Sequence, residues 1–315
     1  MARQLHNAVT TSPATTVDLT GDVGRRRRER RIRRAFWGTA SFSILISAAI
    51  IFSLVGEAWS FISQVELSSL WGIGWFPRRG LYDIATLIIA TLLIAGVAMA
   101  VATPLGLGAA IYLSEYATGR WRRILKPIIE ILAGIPSVVL GFFALTWISP
   151  NIVQRFFGGG VFTIAAAGIG VGILTTPLVA SVSEDAMRAV PNALREASYG
   201  LGANRAVTVR KVVFPAAISG IVASLILGVS RAIGETMVVF MAAGAVGGAL
   251  RGFGILEPGQ TMTAAMASLA IGTDQVAGEG LAFQSLFFVG LLLFVMTLAL
   301  NSVSERFVRR VRERY

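Results

Sequence analysis

The chain has no cysteine, a single histidine and only two lysines in its 315 residues. Without thiols it has no disulfides, iron–sulfur ligation or thiolate zinc site. The one imidazole, His6, lies in a polar N-terminal stretch, so the body of the chain lacks a histidine general base and any Ser-His-Asp arrangement. The lysines exclude a further class. A phosphate-cradling P-loop needs Gly-Lys-Ser/Thr, whereas Lys126 follows Leu125 and Lys211 follows Arg210. No catalytic, cofactor-binding or metal-ligating residue is predicted, and any energy source must come from another chain.

Charge is scarce as well. Charged residues make up 14% of the chain against 55% hydrophobic, and the mean hydropathy is +0.71. That balance is too apolar for an ordinary soluble domain and predicts an all-α integral membrane protein. The charge present is one-sided, with 28 Lys and Arg against 17 Asp and Glu, a net +11. In a soluble protein this would point to nucleic acid. Here the basic residues gather at the ends of apolar runs, where they report topology, and no nucleic-acid partner is predicted.

Six apolar runs are long enough to span a bilayer core of about 30 Å: residues 35–62, 83–113, 127–149, 161–182, 216–246 and 283–301. The segments before the first run and after the second, fourth and sixth hold 9, 4, 5 and 5 Lys and Arg; those after the first, third and fifth hold 2, 1 and 1. This asymmetry predicts cytoplasmic N and C termini in a bacterial or archaeal-type plasma (inner) membrane. Residues 1–34 read as a disordered basic cytoplasmic tail, with eight arginines from Arg25 to Arg34 abutting the first span. Residues 35–303 form the transmembrane domain, with its core at about 83–303, and residues 304–315 a basic cytoplasmic tail. Trp71 and Trp75 read as interfacial belt residues, and Pro104 predicts a kink in the second span.

The longest charge-bearing interruption of the second half, residues 184–214, reads as a helix-turn-helix hairpin. Glu184 and Asp185 suit a helix start, Leu194, Ala197 and Leu201 follow at i, i+3, i+7, and Gly200 and Gly202 break the run. A second short run, Arg205 to Val213, ends at Pro215. Helices of about ten residues are marginal in water, so such a hairpin needs a surface to dock on. Glu196-Ala197-Ser198, then Gly202, then Val212-Val213-Phe214-Pro215, resembles the EAA loop of ABC importer permeases. The resemblance implies the six-helix, MetI-like permease fold and assigns Glu196, Ala197, Gly202 and Pro215 to coupling with an ATPase subunit. Ser198 stands where the family usually has a second Ala.

Within the fifth run, Arg231 and Glu235 are charges at i, i+4, on one helix face. A charge near mid-membrane costs about 2.5–3.5 kcal/mol on insertion scales, so it needs a partner or a task. Both readings stand: a structural ion pair, or a substrate path in which the Arg fork meets the oxygens of an anion. The runs Ser230-Arg231-Ala232-Ile233-Gly234-Glu235-Thr236-Met237, Gly108 to Glu115 and Gly134 to Gly141 resemble the phosphate-specific members of that permease family, of the PstC type. Tyr82-Asp83 and Ala90-Thr91 depart from it, where Phe-Gly and Gly-Thr are usual. The resemblance implies a translocation subunit for phosphate with a PstA-type sister permease in a heterodimer. It also implies a PstB-type ATPase dimer that binds ATP and Mg, and an extracytoplasmic PstS-type phosphate-binding protein. A permease for another oxyanion, molybdate or sulfate, would keep the hairpin without needing the Arg231 to Thr236 run. A secondary anion transporter would leave the hairpin unexplained.

Overall fold

A computed structural model describes residues 23–72, 74–245, 247, 254–271 and 281–311. The predicted tail over residues 1–22, most of the glycine-rich segments at 248–253 and 272–280, and residues 312–315 lie outside the described residues. Thirteen helices are described: α1 (Val23–Gln64), α2 (Ile84–Ile111), α3 (Gly119–Ala133), α4 (Ser137–Phe143), α5 (Arg155–Phe157), α6 (Ile164–Arg188), α7 (Asn192–Gly200), α8 (Arg205–Thr208), α9 (Phe214–Ala216), α10 (Ile218–Gly234), α11 (Met237–Ala242), α12 (Met262–Ala270) and α13 (Leu281–Val311). Two short antiparallel strands, β1 (Trp75–Phe76) and β2 (Leu81–Tyr82), close the loop before α2. Among the described residues five helices are long and apolar enough to cross a membrane, and a sixth span is counted if the bent pair Arg205–Ala216 and Ile218–Gly234 is taken as one.

Met1–Ser53 and Leu54–Tyr315 form two compact units. In the first, α1 begins at Val23, so the arginines that read as a disordered tail are helical from that point on. The chain carries no charge from Ala35 to Gly56, which suits a helix surrounded by lipid.

The second unit is built on α2 and α6, which run parallel and side by side. A Cβ on Gly168 would meet Val97, one on Gly172 would meet Ala98 and Val101, and one on Gly106 would meet Val179. Small residues therefore let the two backbones approach, as expected where no hydrophobic drive acts between helices in lipid. The helix runs on through Pro104 to Ile111 and then winds wider, as a π-helical turn over Tyr112–Tyr116. Ile94, Ala98, Ile148, Ile164, Val171 and Ile233 lie in the central apolar cluster.

The third span starts at Ser137, not at residue 127. Gly134-Ile135-Pro136 interrupts the apolar run, because Pro136 brings no N–H and drives Ile135 from helical geometry. The preceding α3 buries none of its residues in this chain; Trp121, Ile124, Ile128 and Ile131 are exposed along one side. The fifth span, which reads as one run over 216–246, is broken: α10 ends at Gly234, Glu235 is extended, and α11 starts at Met237. A bend of 71° separates α10 from the helical run before it. Trp75 is not a belt residue, because it is buried edge-to-face against Tyr82, with ring centroids 6.0 Å apart. Trp71 is 74% exposed and fits the interfacial reading. The departures at the start of the second span also have a structural reason. Asp83 caps α2, accepting from Gly74 N at 3.1 Å, Thr86 N at 3.3 Å and Thr86 Oγ1 at 2.6 Å. Thr91 Oγ1 accepts from Met262 N at 3.2 Å.

Overpacking a tight helix contact costs about 1–3 kcal/mol. Gly172→Leu is therefore expected to lower the melting temperature of the detergent-solubilised chain. Gly96→Leu, at a position with no atom within 4 Å of an added Cβ, is expected to leave it unchanged. Equal losses in the two variants would contradict the close α2–α6 contact.

Candidate functional site

The hairpin is shorter than the sequence predicts. Glu184 and Asp185 belong to α6, and the hairpin itself starts at α7, after Pro191. Proline suits the entry, because the first N–H groups of a helix have no intrahelical acceptor. Glu184 is fully buried and does not start a helix. It pairs with Arg122 and lies 3.2 Å from Lys126 Nζ, which also reaches Asp185 at 3.2 Å. These contacts tie α3 to the last turns of α6. Burial works against the Lys126 ammonium, but the contacts with Glu184 and Asp185 outweigh it and raise its pKa above the ordinary 10.5. A raised pKa means the contribution is whole at neutral pH and is lost only as pH climbs through the raised value.

Arg195 holds the hairpin against the bundle. Its Nη2 donates to Glu115 Oε1 at 2.8 Å and to the Met187 carbonyl at 2.8 Å, and its Nη1 donates to the Val190 carbonyl at 2.6 Å. Glu115 is 5% exposed and Arg195 14%, so the pair is mostly desolvated and geometrically over-determined. One guanidinium thus joins the end of α2, the end of α6 and the start of α7. Asn204 caps α8 by accepting from Val207 N at 2.9 Å, and Ser198 Oγ lies 2.8 Å from Thr208 Oγ1 across the turn. The Arg205 guanidinium lies over the Tyr116 ring, 5.6 Å from its centroid. Ser198, where the family pattern has Ala, is thereby buried and bonded.

The apolar residues of the hairpin are turned away from the bundle. Leu194 is half-buried, but Ala197 is exposed and Leu201 is 90% exposed, so the apolar side of the hairpin points outward. Glu196 and Pro215 are exposed as well, and the helical run passes through Pro215 to Ala216 before it bends. Gly202 has φ +79°, the left-handed region that glycine reaches without strain, and it turns the chain after α7.

Arg231 and Glu235 lie elsewhere, at the break of the fifth span. Arg231 is in the last turn of α10 and exposed; Glu235 follows the helix in extended geometry, so the two do not share a helix face. They form no ion pair with each other. The Glu235 carboxylate instead accepts from Val238 N at 3.4 Å, in the first turn of α11, and its carbonyl accepts from Thr263 Oγ1 at 2.8 Å. The break is thus satisfied by protein groups, including one from α12, and Arg231 is left with an unpaired guanidinium among the described residues. Sequence reasoning missed Glu115, Arg195 and Glu184 as organising charges. Their charged partners are 58 to 80 residues away along the chain, and no local spacing marks such pairs.

Residues 102–313 match the family model described as the binding-protein-dependent transport system inner membrane component. A phosphate transport system permease protein PstC of Pasteurella multocida is 32% identical over 297 residues, covering 87% of this chain and 90% of its own length. A phosphate transport system permease protein PstA 1 of Mycobacterium tuberculosis is 35% identical over a shorter 223 residues, covering 68% and 70%. Among solved structures, a chain of a bacterial ABC transporter involved in the import of the acidic polysaccharide alginate superposes with a TM-score of 0.60 at 15% identity, over 91% of this chain and 100% of that one. At that identity the likeness speaks for the fold alone, a multi-pass membrane architecture.

Losing a charge-assisted hydrogen bond costs roughly 1.5–3 kcal/mol. Glu115→Gln is therefore expected to loosen the hairpin and to speed amide exchange over residues 192–210 by about tenfold or more. Glu196→Gln, at an exposed side chain, is expected to leave exchange unchanged, and equal rates in the two variants would remove the clamp.

Proposed function

The chain belongs to the family of binding-protein-dependent transport system inner membrane components, and from that premise we propose that it is a PstC-type permease subunit of an ATP-driven importer for inorganic phosphate. The observation that carries the coupling part is the hairpin: clamped to α2 and α6 on one side by Arg195, it turns Leu201 outward on the other. A leucine 90% exposed at the tip of a held hairpin favours a protein partner. In this reading the partner is a PstB-type ATPase dimer, which binds ATP and Mg, and Glu196, Ala197, Gly202 and Pro215 belong to the coupling face. The chain itself is not an enzyme. The hairpin end, with both termini, is cytoplasmic, in line with the Lys and Arg asymmetry. A PstA-type sister permease completes the path, and a PstS-type binding protein delivers phosphate from outside. Arg231, whose guanidinium has no partner among the described residues beside the broken helix, is the residue of this path, with Glu235 ordering the break next to it. The choice of phosphate over molybdate or sulfate rests on the relatives that bear its name and on the Arg231 to Thr236 run.

Two substitutions test the two halves. Gly202→Asp puts a charge at the coupling face and a side chain on a left-handed residue. It is expected to lower ATP-driven phosphate uptake by about tenfold or more, the equivalent of roughly 1.4 kcal/mol or more of contact free energy, with the chain still assembled in the membrane. Arg231→Gln is expected to assemble normally and lose uptake, with no rescue by added Glu235→Gln. Arg231→Lys should retain part of the activity at most, because a point charge does not replace the planar fork. Uptake restored in the double neutral variant would remove Arg231 from the path, and intact substrate-stimulated ATP hydrolysis in Gly202→Asp would remove the hairpin from coupling.

A further inference from the structure

At the other end of α2 from the hairpin, the loop that leads into the helix builds a second basic feature that the transport reading leaves unused. Arg78 and Arg79 sit on a single turn of 3₁₀ helix, Pro77–Arg79, closed by Gly80 in the left-handed region at φ 73°. Both line an open cavity of about 410 Å³, together with Trp75, Phe76, Gln260 and Ser268. Among the described residues the cavity has no acidic lining residue. Neither arginine forms an ion pair in the described structure, and the nearby carboxylate of Asp83 is committed to capping α2. Two uncompensated guanidinium groups therefore face one space.

The remaining walls supply neutral polar groups. Trp75 is 2% exposed, and its ring, packed edge-to-face on Tyr82, forms part of the cavity wall. Gln260 Nε2 donates to Ser268 Oγ at 2.9 Å, which fixes the amide and hydroxyl across α12. Arg79 is held over the Phe76 ring, 5.6 Å from its centroid, so part of its rotamer freedom is already spent. Thr261 and Thr263, next along from Gln260, lead from this cavity to the Glu235 carbonyl at the broken span.

We infer that this cavity binds a phosphoryl oxyanion through Arg78 and Arg79. Arginine forks match the oxygens of phosphate in pairs, and an acceptor-rich anion is the ligand class that satisfies every donor present. Two sources carry that chemistry. Free phosphate would use the cavity as a receiving site; a phospholipid headgroup would use it as an anchor, with Trp71 and Leu67, 74% and 67% exposed, beside the acyl chains. The inference rests on the phosphate-transport reading for the side of the membrane that the cavity faces, and not for the binding itself.

The test is equilibrium binding to the purified full-length chain, delipidated in a phosphate-free maltoside detergent, without ATP or partner subunits. One arm titrates inorganic phosphate and the other short-chain phosphatidylglycerol. Saturable binding of either is expected, weakened about tenfold or more in Arg78→Gln/Arg79→Gln and less in the double Lys variant. Gln260→Glu, at a residue lining the cavity, should weaken it by charge. This single variant carries the test if the double Gln variant does not fold. Arg155→Gln, at an exposed arginine outside this cavity, should leave this binding unchanged. Phosphate binding alone assigns the receiving site, and phosphatidylglycerol binding alone assigns the anchor. Binding of neither ligand, or binding equal to wild type in the Arg78/Arg79 and Gln260 variants, overturns the site. Failed uptake with intact binding here would instead count against the transport reading and leave the site standing.

Discussion

Everything in the larger unit depends on the close parallel approach of α2 and α6. Gly106, Gly168 and Gly172 bring the two backbones together where any side chain would collide with Val179, Val97 or Ala98. The approach has to come from small residues, since lipid tails are as apolar as leucine and supply no drive of their own. Its consequence reaches both ends of the pair. At one end the last turns of α2 and α6 lie side by side, which is why Arg195 can take the Glu115 carboxylate and the Met187 carbonyl together. At the other end Asp83 and Thr91 of the α2 region receive the loop before α2 and the start of α12.

A second constraint governs where the spans are interrupted. A backbone carbonyl freed inside a membrane protein must find a donor in the protein, because none comes from lipid. At Glu235 that donor is Thr263 Oγ1, and the following turn is bonded by the Glu235 carboxylate. The break is a built feature, with its hydrogen bonds supplied by a helix far along the chain. It separates Arg231 from Glu235, where a continuous helix would set the two charges at i, i+4 on one face.

The ionic groups divide by what they touch. Glu184 with Arg122 and Lys126, and Glu115 with Arg195, are buried or half-buried pairs that join helix ends. Removing one partner of such a pair leaves a charge without compensation, so these residues hold the framework on which the hairpin is presented. Arg78, Arg79 and Arg231 have no carboxylate partner in the described structure and face open space, which makes them available to an external anion.

Composition and periodicity by themselves determined that this is an α-helical membrane protein, where its apolar runs lie, and that a glycine-broken hairpin interrupts them between α6 and α10. Those properties are local: a run of apolar residues must be buried or lipid-facing whatever its neighbours, and a glycine at φ +79° marks its own turn. The motif around Glu196 and Gly202 made the hairpin recognisable, although its start was misplaced because acidic residues suit a helix N-terminus and a buried ion pair equally well. Only the tertiary structure decided that Glu184 is buried under Arg122 and Lys126, that the third run is cut at Pro136, and that Glu235 leaves its helix to meet Thr263. Each of these outcomes is set by a group tens of residues away, so its free energy depends on which helices pack together, a quantity that no window of sequence contains.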